Sequence, residues 1–212
     1  MTVDAPYKDA PEKSGVLSED QARAEVYALL SNLFYRPPSR ELLQTIATSR
    51  AMCNDNADSG YCRAWRTLQS AAAAADAETV QEEFDTAFIS AGRQPVMLYG
   101  SFYLAGFLNE KPLAYLRDEL AQMGLTRRGN SHETEDHISA LCDVMRFLIV
   151  GDHDTPPAAL DAQRDFFRRH INSWHAQLCE AVIGASENRF YKHVARFARE
   201  FFDLENESFD IA

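Results

Sequence analysis

Apolar residues recur every three or four positions along most of the chain, the spacing that gives an α-helix one buried face. Residues 1–17 lack that period, mix Pro, Lys, Asp, Ser and Gly, and read as a flexible arm ahead of a helical domain over 18–212. Ser18 and Gln21 form a capping box, and Ala22, Val26, Leu29, Leu30, Leu33 and Phe34 stripe a first helix that Pro37 and Pro38 end. A short helix around Leu42, Leu43 and Ile46 is followed by a polar loop from Asn54 to Gly60. Two helices are predicted over Tyr61–Ala75 and Asp76–Ser90. Ala91-Gly92-Arg93-Gln94-Pro95 then breaks the period, and aromatic residues gather behind it at Tyr99, Phe102, Tyr103 and Phe107.

Pro112 suits a first helical turn, and Leu113, Leu116, Leu120 and Met123 mark a helix that Gly124 caps. Asn130 with Glu133 opens the clearest helix, striped by Ile138, Leu141, Cys142, Met145, Leu148 and Ile149 and stopped by Gly151. After Pro156 and Pro157 a long helical region carries Phe166, Phe167, Ile171, Trp174, Leu178 and Val182. Beyond a break at Gly184–Asn188, Phe190, Tyr191, Val194, Phe197, Ala198, Phe201 and Phe202 stripe a final helix. No two-residue alternation stands between hairpin turns, so the expected fold class is all-α, a single-domain multi-helix bundle.

Composition narrows the function classes. The 212 residues carry 21 Lys and Arg against 32 Asp and Glu, a formal charge of −11. Such a surface repels phosphate backbones, which disfavours nucleic acid and anionic membranes and favours a cationic peptide. The first twenty residues hold Asp4, Lys8, Asp9, Glu12 and Lys13 and no apolar core of an export signal. The most apolar run, Leu141–Val150, is interrupted by Asp143 and Arg146 and is too short for stable membrane insertion. Cys53, Cys62, Cys142 and Cys179 form no CxxC pair and lie in helix-like surroundings, so four reduced thiols in a cytoplasmic protein are expected.

The densest polar cluster is His132-Glu133-Thr134-Glu135-Asp136-His137. On a helix, His132 would share a face with Asp136, and Glu133 with His137. Neither His-Glu-x-x-His nor Glu-x-x-His is satisfied, because Asp136 stands where a metalloprotease needs its second histidine. A metal-dependent hydrolase built on this cluster is thus the enzymatic alternative, while acids in a positive first helical turn are the plain structural one. A second cluster, Phe84-Asp85-Thr86-Ala87-Phe88 leading to Tyr99, Ser101 and Tyr103, can form one wall of an apolar groove or simply pack in the core. No P-loop, nucleophile elbow or catalytic cysteine signature is present.

Three stretches of the chain resemble the TorD/DmsD family of cytoplasmic redox-enzyme maturation chaperones. Glu83-Phe84-Asp85-Thr86-Ala87-Phe88-Ile89-Ser90-Ala91-Gly92 followed by Tyr99-Gly100-Ser101-Phe102-Tyr103 is similar to the family's helix end, glycine loop and Ser-x-Tyr turn. Glu133-Thr134-Glu135-Asp136-His137-Ile138 is similar to its Glu-Pro-x-Asp-His motif, with Thr134 in place of proline. Phe166-Phe167, His170-Ile171, Trp174 and Phe190-Tyr191 resemble its C-terminal helical pattern. Met97-Leu98 stands where the family has a proline-rich turn. The likeness covers residues 18–205.

The resemblance implies a TorD-like helical bundle without enzymatic activity or cofactor. It implies binding of the twin-arginine signal peptide of a molybdenum-cofactor oxidoreductase subunit, held in the cytoplasm until maturation is complete. Such a leader needs carboxylates beside an apolar groove. On this reading Asp136 and Glu133, with Asp85, face the arginines, His137 joins Asp136 in capturing the peptide, and Phe34, Phe84, Phe88, Tyr99, Ser101 and Tyr103 build the groove. Replacing Asp136 and His137 is then expected to weaken peptide capture and leave the fold intact. Monomer and homodimer both remain open, as does a role as assembly scaffold for a molybdoenzyme that is not exported.

Overall fold

Short polar side chains set where several helices begin. Ser39 accepts a hydrogen bond from the Leu42 N–H, Ser59 from Cys62 and Asp76 from Thr79, amides that the first helical turn leaves without partners. The computed structural model describes residues 19–49, 53, 58–89, 96–126, 133–185 and 189–211. Among these the chain forms α1 (Glu19–Tyr35), α2 (Arg40–Thr48), α3 (Gly60–Ala74), α4 (Ala77–Phe84), α5 (Gly100–Ala105), α6 (Lys111–Gln122), α7 (Ile138–Val150), α8 (Leu160–Phe167), α9 (His175–Gly184) and α10 (Tyr191–Ile211). A π-helical turn prolongs α4 over Asp85–Ile89 and a second prolongs α8 over Arg168–Asn172. The described residues hold no sheet, only an isolated antiparallel bridge between Tyr99 and His137. The expected arm and the capping box at Ser18 lie outside the described residues.

Helix α1 runs along α7, α10 packs on α3 and α9, and α2 packs on α3. Aromatic rings fill the space between them. Tyr27 meets Phe201 edge-on at 4.9 Å, Trp65 packs on Phe197 at 5.0 Å, and Phe167 lies 5.7 Å from Phe209. Each fully buried ring of this size contributes ~2–3 kcal/mol through removal from water. Two buried carboxylates tie helices together. Glu83 of α4 accepts from the backbone N–H groups of Phe190 (3.0 Å) and Tyr191 (2.7 Å), and so caps the start of α10 from a distant part of the chain. Glu205 of α10 accepts from Nε of Arg23 at 2.7 Å, from Nη2 at 3.0 Å and from the Tyr27 hydroxyl at 3.0 Å.

The structure corrects three expectations. Cys53 and Cys62 are joined in a disulfide across a Cα–Cα distance of 5.7 Å, leaving only Cys142 and Cys179 as free, buried thiols. The α2–α3 pairing brings these two residues together, which their lack of a CxxC motif did not signal. The helix expected from Asn130 begins at Ile138, because residues ahead of it are held by pairing with the 98–100 segment. The long helix expected after Pro157 is broken at Ser173 and Trp174, where Trp174 leaves helical geometry (φ −146°, ψ −9°) and turns its ring toward α5.

Deleting the carboxylate of Glu205 strands Arg23, a partly buried guanidinium, without its main partner. Glu205→Ala is expected to cost ~3–5 kcal/mol. Glu180→Ala, which removes an exposed pair with Arg199 at 3.4 Å, is expected to cost under ~1 kcal/mol. Urea unfolding of the two variants checks the contrast.

Candidate functional site

Two connecting segments, 96–101 and 133–138, lie against each other and form a clasp. The Gly100 N–H donates to the Asp136 carbonyl and the Ile138 N–H to the Leu98 carbonyl, both at 2.9 Å. The Asp136 carboxylate completes the clasp. Its Oδ2 accepts from the Ser101 N–H at 2.8 Å, in the first turn of α5, and its Oδ1 accepts from the Thr134 hydroxyl at 2.6 Å. His137 caps α7, its Nδ1 accepting from the Ser139 N–H at 3.2 Å with the Ser139 hydroxyl 2.7 Å away. Burial lowers the His137 pKa to about 4 against the raising effect of Glu133 and Asp136, so the ring is neutral near pH 7 and fit to accept.

Asp136 and His137 are only 3% and 4% exposed. They hold the chain's own backbone and present no surface to another molecule's arginines, which corrects the expectation for both. Both Asp136 carboxylate oxygens and His137 Nδ1 are engaged within this region of the chain. Ser101 is buried as well, its N–H taken by Asp136.

The rim of the clasp is open. Tyr99 and Glu133 are half-buried, and the Tyr99 hydroxyl donates to Glu133 Oε2. Burial and the neighbouring Glu133 carboxylate raise the Tyr99 pKa, which keeps the phenol protonated. Tyr103 donates to the Met97 carbonyl at 2.8 Å and stacks on Trp174 at 5.4 Å, with the planes 18° apart. The Trp174 indole N–H in turn donates to the His170 carbonyl at 2.6 Å. Gly100 lets this indole approach, since a Cβ there would stand 3.1 Å from Trp174 Nε1.

Beyond Tyr103 the chain turns outward. Gly106 (φ 83°) and Asn109 (φ 61°) both adopt left-handed backbone, and between them Phe107 and Leu108 point into solvent, Phe107 with 72% of its surface exposed. Phe102 and Leu104 of α5 and Tyr115 of α6 are also exposed. Large apolar side chains thus stay exposed along α5, the turn after it and the first turns of α6. Helix α6 returns to the clasp through Arg117, whose Nε donates to Glu135 at 2.8 Å. It also reaches the π-turn through Glu119, which lies 2.9 Å from His170 Nε2 and 3.1 Å from Arg169 Nη2. Clasp, α5, α6 and π-turn therefore form one connected neighbourhood.

The remaining candidates belong elsewhere. Phe84 and Phe88 pack on Tyr191 at 5.6 and 5.1 Å, beside the start of α10, and the Tyr191 hydroxyl donates to Leu33 in α1. Phe34, Phe84 and Phe88 are all buried, so they line no open groove and serve as core. Asp85 is exposed and accepts from Gln81 at 2.9 Å. His132 lies outside the described residues. Among those described, no three His, Cys, Asp or Glu side chains converge to hold a metal ion, and no helix is long and apolar enough to cross a membrane. Sequence reasoning passed over Leu108, Tyr115 and Glu119. The available signal was Gly106 and Asn109 flanking Phe107-Leu108, residue types that enter left-handed backbone most readily.

Among the described residues the fold is all-helical, with a buried acidic clasp beside exposed aromatic side chains. Residues 54–180 match the nitrate reductase delta subunit family, and the chain belongs to that family. It is 26% identical over 208 residues to the chaperone protein TorD of Vibrio cholerae serotype O1, covering 90% of this chain and 93% of the relative. The TorD chaperone of Aliivibrio salmonicida is 26% identical over 202 residues, covering 88% and 94%. Among solved structures, a protein of Archaeoglobus fulgidus described as a redox enzyme maturation protein superposes with a TM-score of 0.54 at 19% identity, covering 86% of this chain and 92% of that one. This last likeness concerns the fold.

Asp136→Ala leaves the Ser101 N–H buried without its acceptor and is expected to cost ~1–3 kcal/mol, lowering the melting temperature by roughly 3–10 °C. The His137 ring makes a separate, pH-dependent contribution. Its folded pKa lies below the ~6.5 of a free imidazole, so the unfolded chain binds the proton first. The stability it supports is complete above pH ~6.5 and is lost as pH falls toward about 4. His137→Asn keeps a capping acceptor and removes the titration, so thermal melts between pH 7 and pH 4.5 are expected to fall less steeply in that variant.

Proposed function

We propose that this protein is a molybdoenzyme maturation chaperone that binds the twin-arginine leader of its client subunit in the cytoplasm, before export. The single observation that carries the reading is the set of exposed apolar side chains, Phe102, Leu104, Phe107 and Leu108, on α5 and the turn after it, an element that starts next to the half-buried Tyr99–Glu133 pair. Membership of the nitrate reductase delta subunit family and similarity to TorD chaperones over about nine-tenths of the chain support it. A leader of this kind presents two guanidinium groups followed by an apolar run, and this face offers the complementary pattern.

Magnitudes divide the labour. An exposed Arg–carboxylate pair contributes ~0–1 kcal/mol, so charge alone gives millimolar binding at best. Covering ~400 Å² of apolar side chain contributes ~10 kcal/mol at about 25 cal/mol per Å², before the cost of ordering the peptide. Apolar contact supplies the affinity, and the carboxylates set orientation and association rate. Of the acids expected to face the arginines, Glu133 at the rim and the exposed Asp85 are the accessible ones, and Asp136 is buried.

Family membership also favours a second reading, an assembly scaffold for a nitrate reductase subunit that carries no export leader. Calorimetric titration with a synthetic twin-arginine leader, its Lys-Lys version and a version with serine in place of the apolar run separates the two. The chaperone reading expects binding that prefers Arg-Arg, survives near-molar salt in weakened form and disappears without the apolar run. Equal binding of Arg-Arg and Lys-Lys leaders would favour the scaffold, and loss of all binding at high salt would overturn the division between apolar contact and charge.

A further inference from the structure

Helix α2 packs chiefly on α3 and buries Leu43 and Ile46. Gln69 of α3 holds its last turn, Nε2 donating to the Ile46 carbonyl at 3.2 Å and to the Ser49 carbonyl at 2.6 Å. The Cys53–Cys62 bond adds a covalent tie between the stretch that follows α2 and the first turn of α3. We propose that this pair is a reversible thiol–disulfide exchange site that fastens α2 to α3 when oxidised and loosens it when reduced, its reactants being low-molecular-weight thiols and disulfides of the glutathione class. The site stands apart from the leader-binding reading, since it involves α2 and α3 alone.

Accessibility singles out this pair. Cys53 is partly exposed, whereas Cys62 is 5% exposed and Cys142 and Cys179 are buried completely. Burial also raises the Cys142 thiol pKa and pushes that of Cys179 up to about 12, so neither supplies a thiolate near pH 7. An incoming thiolate therefore reaches Cys53 first. Its sulfur bonds to Cys53 Sγ as the Cys53–Cys62 bond breaks, and Cys62 leaves with the bonding pair as a thiolate. A second small thiolate attacks the sulfur that the first one brought, releasing Cys53 as a thiolate and a small-molecule disulfide. Two electrons have passed to the protein, and the two protons lost by the small thiols complete those of Cys53 and Cys62. Oxidation runs the same steps in reverse, with the low-molecular-weight disulfide accepting the electrons.

The fold makes the exchange reversible. The two Cα atoms are 5.7 Å apart, and Gln69, Leu43 and Ile46 hold α2 on α3 without help from the sulfurs, so both thiols stay within reach of each other after reduction. What changes is how firmly α2 is anchored. A helix of nine residues is too short to persist alone and depends on whatever fastens it. The first turn of α3, by contrast, is fixed from its other side. Tyr61 and Trp65 lie 5.3 and 5.0 Å from Phe197 of α10. Loosening on reduction thus falls on α2.

The test places the full chain in glutathione buffers graded from thiol-rich to disulfide-rich. Acid quenching, alkylation and peptide mass spectrometry read the state of each cysteine. The Cys53–Cys62 bond is expected in under about a tenth of molecules at the thiol-rich end and over about nine-tenths at the other, with Cys142 and Cys179 carrying no glutathione throughout. Hydrogen–deuterium exchange then compares the two forms. Reduction is expected to speed exchange of α2 amides about tenfold and of α7 amides less than about twofold. Cys53→Ser, which cannot close the bond, is expected to show the fast α2 exchange in every buffer. A pair that stays oxidised, or stays reduced, across the whole series overturns the exchange site, as does glutathione retained on Cys53 in place of the internal bond. Equal α2 protection in the two forms of wild type overturns the fastening of α2, whether or not the variant folds.

Discussion

The arrangement of the candidate site depends on one carboxylate. Asp136 sits where two connecting segments meet: its Oδ2 and its carbonyl fix the 96–101 segment against its own, while its Oδ1 is held by Thr134 beside it. A buried carboxylate is tolerated only where donors surround it, and here the Ser101 amide and the Thr134 hydroxyl supply them. From this point α5 starts in one direction and α7 in the other. The placement of Tyr99, Glu133 and the aromatic face then follows, because each is within a few residues of the clasp or stacked on an element that leaves it.

The same chemistry recurs at the other buried acids. Glu83 receives the first amides of α10, and Glu205 receives Arg23 and Tyr27. In a chain with an excess of acids, these buried ones are occupied by the fold itself, and on the proposed reading only acids at the surface are left to meet a cation. The motif Glu-Thr-Glu-Asp-His illustrates the division within five residues. Asp136 and His137 point inward and build structure, while Glu133 and Glu135 reach the rim.

Periodicity was sufficient to read the helices, and proline, glycine and Ser/Asp caps gave most of their ends, because these depend on residues within one or two turns. Gly151 at φ 65° and Asp76 at the head of α4 are examples. What escaped was non-local. The helix expected from Asn130 satisfied every local rule, yet pairing with Leu98 and Gly100, more than thirty residues away, holds residues 133–137 out of it. Phe84 and Phe88 were ambiguous between groove and core by spacing alone, and only the arrival of Tyr191 from α10 decides for the core. The Cys53–Cys62 bond likewise depends on how α2 turns back on α3. In a reducing cytoplasm that bond gives way to two thiols held near each other by the same helix pairing.

Exposing Phe107 and Leu108 at a left-handed turn forfeits apolar burial that the isolated protein would otherwise gain, ~2 kcal/mol for a side chain of this size. Anchored at both ends by α5 and α6, the turn holds the two side chains outward before any partner arrives, so little further ordering is needed on the protein's side. A leader peptide is unstructured when free and carries nearly all of the ordering cost of the complex. That asymmetry suits a chaperone that must release its client. On the proposed reading, apolar contact holds the leader out of water while the peptide's lost conformational freedom keeps the complex reversible.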